Sequence, residues 1–234
     1  ALCALDETQH EKGLTAFLYS AMQPNTDSDP RAWSVGERLF ALAHYCCHVM
    51  PDGPDYAVTT VSKLSDYLQL ERDDVAEISF HAAGDDWRMQ ALSGAAAEAI
   101  EAAQQAQAMT GAQARLHWMI GGMAAQLHRL GEEVPDPLAD EAQYATWLKQ
   151  RMATFSALAS SDFEAIYRQY VQAMEQSTQL FQIWFDEHGI IVLPNLANTA
   201  DKVQGGVVSN IPPARFRVLA CLSDITLAVF GKPA

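Results

Sequence analysis

The chain has 234 residues, which is enough for one well-filled domain or two small ones. Hydrophobic residues make up 49% of it and charged residues 19%, so the composition excludes a disordered protein. Fifteen basic residues against 29 acidic ones give a net charge of −14. Because nucleic-acid phosphates and anionic lipids both attract a positive surface, we expect no direct binding to nucleic acid or to membranes.

Apolar periodicity and helix-capping residues predict a mainly α fold of about eight helices, with at most a small two-stranded β element. We expect an acidic helical body over residues 1–194 and an extended arm plus a C-terminal helix over 195–234. The predicted helices cover 4–22, 34–50, 61–70, 87–109, 110–130, 138–158, 162–188 and 213–230.

Helix starts are indicated by three capping-box patterns, at Ser34–Glu37, Thr110–Gln113 and Ser161–Glu164. Helix ends are indicated by Gly131 and Gly189, each of which follows a run with helical periodicity. These marks divide the body into helices joined by short loops.

The stretch from 87 to 109 is rich in Ala and Gln and poor in large side chains, so we expect its helix to pack closely against a neighbour. The following helix contains Gly121 and Gly122, which weaken it by about 1 kcal/mol each relative to alanine. The apolar residues of 162–188, including Phe181 and Trp184, recur at helical spacing over the whole stretch.

Two segments carry β signals. Residues 75–80 alternate apolar and polar side chains, and residues 190–193 form a short apolar run before Pro194. The two could pair with each other as strands. A helical turn after Asp73 and Asp74 remains the alternative for the first segment.

The last forty residues differ from the body in composition and charge. Residues 195–210 are rich in Asn, Thr, Ser and Gly, as in a long loop, and the segment 195–234 holds four basic and two acidic residues. A mildly basic segment on a strongly acidic body is expected to dock on an acidic surface of its own or a neighbouring molecule. Packing of the C-terminal helix into the same core is the alternative. The candidate interaction residues are Lys202, Gly205, Gly206, Arg215 and Arg217.

The string His44-Tyr45-Cys46-Cys47-His48 has the residue types of a metal site. On a helix His44 and His48 lie one turn apart, which is a spacing used by zinc enzymes, but no second Cys/His pair with ligand spacing follows. Packing of an apolar helix explains the string better. The isolated Glu7-x-x-His10 lacks the second such motif that a di-iron bundle needs.

An acidic loop, with Glu132, Glu133 and Asp136 around Pro135 and Pro137, lacks the spacing of a calcium loop. The chain contains no P-loop, no G-x-G-x-x-G and no nucleophile elbow. We therefore predict no catalytic, cofactor-binding or metal-binding residues.

The favoured hypothesis is a non-enzymatic protein–protein interaction or assembly component of a multi-subunit complex, of the kind found in virions, phage tails or secretion apparatus. Its partners would be other proteins or further copies of the chain. Three alternatives remain: an acidic inhibitor or immunity-type protein that blocks a basic partner, a metal-dependent helical enzyme that uses His44 and His48, and an assembly chaperone that meets its partner only transiently.

Location is predicted from cysteine usage and from apolar runs. Four cysteines are too few for a disulfide scaffold, no apolar run approaches the roughly 20 residues of a membrane span, and no signal peptide is visible. We expect a cytoplasmic protein, or one assembled into a larger particle.

Overall fold

The structure is a computed structural model that describes residues 10–22, 28–48, 58–69, 77–177, 180–186, 189–195 and 211–214. These residues form six α-helices and five β-strands. The helices are α1 (His10–Ala21), α2 (Val35–His48), α3 (Gly94–Ala106), α4 (Gly111–Gln126), α5 (Glu141–Ser156) and α6 (Ser160–Gln176). The strands are β1 (Glu77–Ala82), β2 (Asp85–Gln90), β3 (Leu127–Arg129), β4 (Gln182–Asp186) and β5 (Gly189–Leu193).

The chain divides into two compact units. The described residues of unit 1 are 36–48, 58–69, 180–186, 189–195 and 211–214. Those of unit 2 are 10–22, 28–35 and 77–177, so unit 2 contains α1, α3 to α6 and the first three strands.

Unit 2 is built from an antiparallel sheet in the order β1-β2-β3 and from helices that bury their apolar faces together with it. The core side chains come from both layers: Trp87, Met89, Ile100, Met123, Leu127, Tyr144, Leu148, Phe155 and Ile166. Since strands and helices share this one core, the helices are held at fixed positions around the sheet.

The β1–β2 hairpin closes on a two-residue loop in which Ala83 and Gly84 both have positive φ, at 51° and 82°. Two positive φ values are what a type I′ turn requires, and such a turn matches the twist of the strands that it joins. The hairpin register places Phe80 opposite Trp87, and the indole Nε1 of Trp87 donates to the carbonyl of Ala82 at 3.0 Å.

Helices α3 and α4 approach each other closely at Gly121. A Cβ atom at this position would lie 2.9 Å from Cγ2 of Ile100, closer than real Cβ contacts. At the next residue, Gly122, the nearest atom to such a Cβ is the hydroxyl of Tyr170, at 3.3 Å. The glycines that weaken α4 as an isolated helix thus create room for its neighbours.

The first turn of α3 has its backbone N–H groups satisfied by residues upstream in the sequence. The N–H of Gly94 donates to the carbonyl of Trp33 at 2.8 Å, and that of Ala95 donates to the carbonyl of Arg31 at 2.9 Å. The hydroxyl of Ser93 caps the N–H of Ala96 at 3.2 Å. These bonds fix the segment 28–33 at the start of α3.

Unit 1 contains the β4–β5 hairpin and a small core formed by Tyr67, Val192, Ile211 and Ala214. The Tyr67 hydroxyl donates to the carbonyl of Pro212 at 2.8 Å. The backbones of Val192 and Ala214 exchange hydrogen bonds of 2.8 and 2.9 Å, so residues 211–214 are held beside β5.

The mainly helical class is confirmed, but several boundaries in the prediction are wrong. Within the described residues there are six α-helices rather than about eight, and the helix predicted over 213–230 falls almost entirely outside them. In the described part of the predicted helix 61–70 there is only a 3₁₀ turn, Leu64–Asp66. The start of the predicted helix 87–109 is strand β2 up to Gln90, because an antiparallel partner on each side takes up its backbone groups.

The β content is larger than predicted, and the strands pair differently. Residues 77–80 and 190–193 are in strands as proposed, but β1 pairs with β2, and β5 pairs with β4. Helix α6 ends at Gln176, so the end of the stretch 162–188 is strand β4 rather than helix. Gly189 opens β5 instead of ending a helix.

Two of the three capping boxes differ from the prediction. The Thr110 side chain makes no capping bond to α4, and α6 begins at Ser160, with Ala159 at its N-cap. Side chains that do cap a helix include Ser93 on α3 and Asp140, which accepts the N–H of Gln143 at 2.9 Å on α5.

No helix among the described residues combines the length and apolarity that crossing a bilayer requires.

Candidate functional site

The predicted interaction residues Lys202, Gly205, Gly206, Arg215 and Arg217 lie outside the described residues. The same is true of most of the arm 195–210 and of Glu7 in the Glu-x-x-His motif. Their roles stay predictions from the sequence.

The histidine–cysteine string lies at the end of α2. The rings of His44 and His48 are 4.2 Å apart between centroids, and Nδ1 of His48 donates to the carbonyl of His44 at 2.6 Å. Both histidines are exposed, whereas Cys47 is buried. Within the described ranges no three His, Cys, Asp or Glu side chains are grouped as metal ligands would be.

Two carboxylates of the acidic loop, and Asp140 just after it, bond to the chain itself. Glu132 pairs with Arg151, Asp136 accepts the N–H of Leu138 at 2.8 Å, and Asp140 caps α5. Glu133 is exposed beside Val134. These carboxylates therefore stabilise the conformation of the loop, and they also give it negative charge.

An open groove of about 990 Å³ lies on unit 2 and is lined mainly by three helices. Helix α4 packs against both α3 and α5, and the groove runs between these helices. The apolar lining consists mainly of Ala95, Ala99, Ala102, Ala103 and Ala106 of α3, Met109, Leu116 and Ile120 of the α4 side, and Tyr144, Leu148 and Met152 of α5.

The alanines place a nearly smooth surface along one side of the groove. They recur at steps of three or four residues, so they occupy one face of α3. On the α4 side Leu116 is 52% exposed, which is unusual for a leucine surrounded by other apolar groups. The lining is therefore a continuous apolar surface open to solvent.

One end of the groove is fixed by Arg31. Its guanidinium lies 3.2 Å from a carboxylate oxygen of Glu98 on α3 and 2.5 Å from one of Glu141 on α5. Burial acts to lower the pKa of Arg31, but the carboxylates of Glu141 and Glu98 outweigh it and raise that pKa above its usual value. Arg31 thus joins the first turns of the two helices that border the groove.

Further bonds hold this end in place. The Glu98 carboxylate also accepts the hydroxyl of Thr15, and the carboxylate of Asp29 accepts the Tyr19 hydroxyl and the Arg31 N–H, both at 2.8 Å. The Tyr19–Asp29 hydrogen bond is the main cause that raises the pKa of Tyr19. The position of Arg31 is therefore set by its backbone as well as by its ion pairs.

The middle of the groove contains His117, which is 7% exposed. Its Nε2 donates to the carbonyl of Ile100 at 2.9 Å, so the ring is locked between α4 and α3. Nearby, the indole of Trp118 donates to Gln104 at 2.5 Å. The hydrogen bonds of His117 and Trp118 consequently connect α4 to α3 at the groove.

Two lysines line the groove without a salt bridge to any described residue: Lys12 of α1 and Lys149 of α5. Both side chains belong to exposed residues. Three cationic side chains and two carboxylates line the groove in total, in a chain whose net charge is −14. The groove is thus locally cationic on an acidic protein.

Sequence reasoning missed this groove. The alanine-rich helix was expected to pack closely against a neighbour, and it does so where Ile100 meets Gly121 and where Ala96 enters the core. Other alanines of α3 line the groove instead. Whether an alanine face stays open depends on the placement of α5, whose core residues Leu148 and Phe155 pack against side chains far away in the sequence.

Comparison of the chain with protein-family models, with curated proteins and with solved structures found no match in any of the three.

Proposed function

We propose that this protein is a non-enzymatic interaction component of a multi-subunit complex, and that its groove receives one helix of a partner protein. The supporting observation is the open apolar surface bordered by α3, α4 and α5. Helix-in-groove binding is a common way for proteins to recognise each other, and it uses such a surface.

The dimensions of the groove favour a helix as its occupant. Helix α3 has 13 residues and α5 has 16, so the borders extend over roughly 20 Å at 1.5 Å per residue. A helix of about four turns matches this length, and with α3, α4 and α5 it forms a four-helix arrangement. Alanines on α3 allow its backbone to come close, while Met109 and Met152 can adapt to its side chains.

The test is to fill the groove. Ala102 is an exposed groove residue, so Ala102→Phe occupies space that a partner helix needs without entering the core. Ala112 on α4 is exposed and does not line the groove, and Ala112→Phe is the matched control. Tagged wild-type protein and both variants are used to isolate bound partners from the native host, and cross-linked residues are mapped.

We expect the wild type and Ala112→Phe to retain the same partner, with cross-links at α3 and α5, and Ala102→Phe to lose it. Equal retention by Ala102→Phe contradicts the groove as the binding site. A variant with Arg215 and Arg217 changed to Glu tests the C-terminal segment separately, because the arm hypothesis requires that this variant lose the partner.

The acidic loop supports one alternative, an inhibitor of a basic protein. Leu130 is 76% exposed, and the loop presents Val134 and the exposed carboxylate of Glu133 close to it in sequence. Glu133→Lys reverses a surface charge without breaking the pair between Glu132 and Arg151. If partner binding falls at least tenfold in Glu133→Lys and is unchanged in Ala102→Phe, the inhibitor alternative replaces the groove.

A further inference from the structure

We infer that the helix bound in the groove carries acidic residues beside its apolar face, and that Lys12 and Lys149 select it. This inference rests on the proposed function and adds the chemistry of the partner. Both lysines line the groove, one on α1 and the other on α5.

The remaining charges of the groove are already paired within the chain. Arg31 contacts Glu98 at 3.2 Å and Glu141 at 2.5 Å. Glu98 additionally accepts the hydroxyl of Thr15. A partner that approaches the groove therefore meets two ammonium groups that have no salt bridge among the described residues, together with carboxylates that are already engaged.

Carboxylates on the partner complement these ammonium groups. Glu or Asp residues at the border of an apolar helix face would reach lysines at the edge of the groove, whereas Lys or Arg there would be repelled. Exposed ion pairs add little affinity individually, but a change from attraction to repulsion at two lysines is expected to alter affinity about tenfold.

The chain's own C-terminal segment fits this description poorly. Residues 213–230, predicted from the sequence as an amphipathic helix, contain Arg215 and Arg217 but a single acid, Asp224. Bound in the groove of a second copy, this segment would bring cations to Lys12 and Lys149. Charge therefore favours a different, acidic partner helix over a second copy of this segment.

The test uses three designed peptides of about 16 residues that share one Leu/Ala apolar face. The residues at the border of that face are Glu in one peptide, Gln in the second and Lys in the third. Dissociation constants are measured by calorimetry with the full chain, and the bound residues are located by NMR. The protein variants are Ala102→Phe, the double variant Lys12→Gln/Lys149→Gln, and Arg115→Gln, which removes an exposed cation of α4 outside the groove.

We expect the Glu peptide to bind the wild type about tenfold more tightly than the Lys peptide, with the Gln peptide between them. The double lysine variant should reduce this ratio to about twofold, and Arg115→Gln should retain it. Shifts of Leu116 and Met152 methyl signals should mark the site, and Ala102→Phe should abolish binding of all three peptides.

The two proposals fail in different ways. If the Glu and Lys peptides bind equally and Ala102→Phe abolishes both, the acidic partner is wrong and the groove remains a helix site. If no peptide binds at millimolar concentration, both proposals are wrong.

Dodecanoate is included as a further probe, because an acyl chain with a carboxylate shares the same chemistry. Binding of dodecanoate at Leu116 and Lys149 with no peptide binding would assign the groove to an acyl ligand.

Discussion

Arg151 of α5 links one helix to the end of another. Its Nε donates to the carbonyl of Ala124 at 2.9 Å, and a second nitrogen donates to the carbonyl of Leu127, so it satisfies carbonyls where α4 ends. A third nitrogen pairs with Glu132, and the guanidinium also lies 5.4 Å from the ring centroid of Trp147. A single side chain thereby fixes α5, the end of α4 and the acidic loop.

We expect Arg151→Met to lower the free energy of unfolding by about 2 to 4 kcal/mol, because it leaves Glu132 without its ion pair and removes a donor from two helix-end carbonyls. Urea denaturation followed by circular dichroism measures this change. The control is Arg168→Met, whose exposed pair with Glu164 should contribute less than about 0.5 kcal/mol. Similar losses in both variants would show that Arg151 has no special structural role.

His128 makes the stability of unit 2 sensitive to acid. The residue is 4% exposed, and its Nδ1 has no hydrogen-bond partner among the described residues. Burial, followed by the charge of Arg151, lowers the pKa of His128 from 6.5 to about 4, against the opposing effect of Glu132. Arg88, its neighbour across the β2–β3 ladder, adds to this lowering.

Because the pKa of His128 is lower in the folded state, the unfolded state binds more protons between about pH 4 and pH 6.5. The contribution of this histidine is therefore full above that range and is lost as pH falls through it. Between about pH 7 and pH 5 we expect the wild type to lose about 2 kcal/mol more unfolding free energy than His128→Gln. Parallel losses in the two proteins would rule out this residue as the source.

Burial also shifts the pKa values of two tyrosines in this core. Burial raises the pKa of Tyr144 to about 12, and that of Tyr170 also to about 12. The hydroxyl of Tyr170 accepts a hydrogen bond of 2.8 Å from Nε2 of Gln126, which acts to lower this pKa but is outweighed by burial.

Packing between two elements decides the role of the glycines in α4. Gly121→Ala raises the intrinsic helix propensity of α4 but drives a methyl group to within 2.9 Å of Ile100. We expect a net destabilisation of about 1 to 3 kcal/mol. Gly122→Ala meets only the end of the Tyr170 side chain, so it should cost clearly less. Thermal unfolding of the two variants compares them, and the reverse order would contradict the close contact of α3 with α4.

The sequence predicts a helix well where one apolar face continues up to a recognisable helix end. Helix α5 is an example, since its predicted bounds of 138–158 enclose Glu141–Ser156. Periodicity alone failed around β4, since Phe181 and Trp184 are three residues apart, which is the spacing of one helix face, although Trp184 lies in a strand. The cluster Ile183-Trp184-Phe185 favours a strand by its β-branched and aromatic side chains, and that signal was outweighed by spacing.

The groove and the contacts of Arg151 could not be predicted, because both depend on residues far apart in the sequence. Arg31 meets Glu98 and Glu141, and Arg151 meets carbonyls of α4. Sequence patterns report on neighbours within a few turns of a helix, and carry little information on which distant carboxylate a given arginine will meet.

The net charge of the whole molecule is negative, whereas the local charge of the groove is positive. A net charge of −14 repels an acidic peptide at long range, whereas Lys12 and Lys149 attract it on contact. Salt screens the long-range repulsion first, so the association rate constant of the Glu peptide should rise between about 20 and 150 mM salt. Its dissociation rate constant should rise as well, because the contact pairs weaken. Stopped-flow fluorescence measures both, and a falling association rate would mean that the surface around the groove is not repulsive.

The contact of Arg31 with Glu141 has a consequence for the order of events on the ribosome. Arg31 is made 110 residues before Glu141, an interval of roughly 6 to 22 seconds at about 5–20 residues per second. Until α5 has emerged, the nascent chain has α3 and α4 but lacks one border of the groove. The groove proposed for a partner helix is therefore complete only after most of unit 2 has been translated, so the proposal places complex formation after the synthesis of α5.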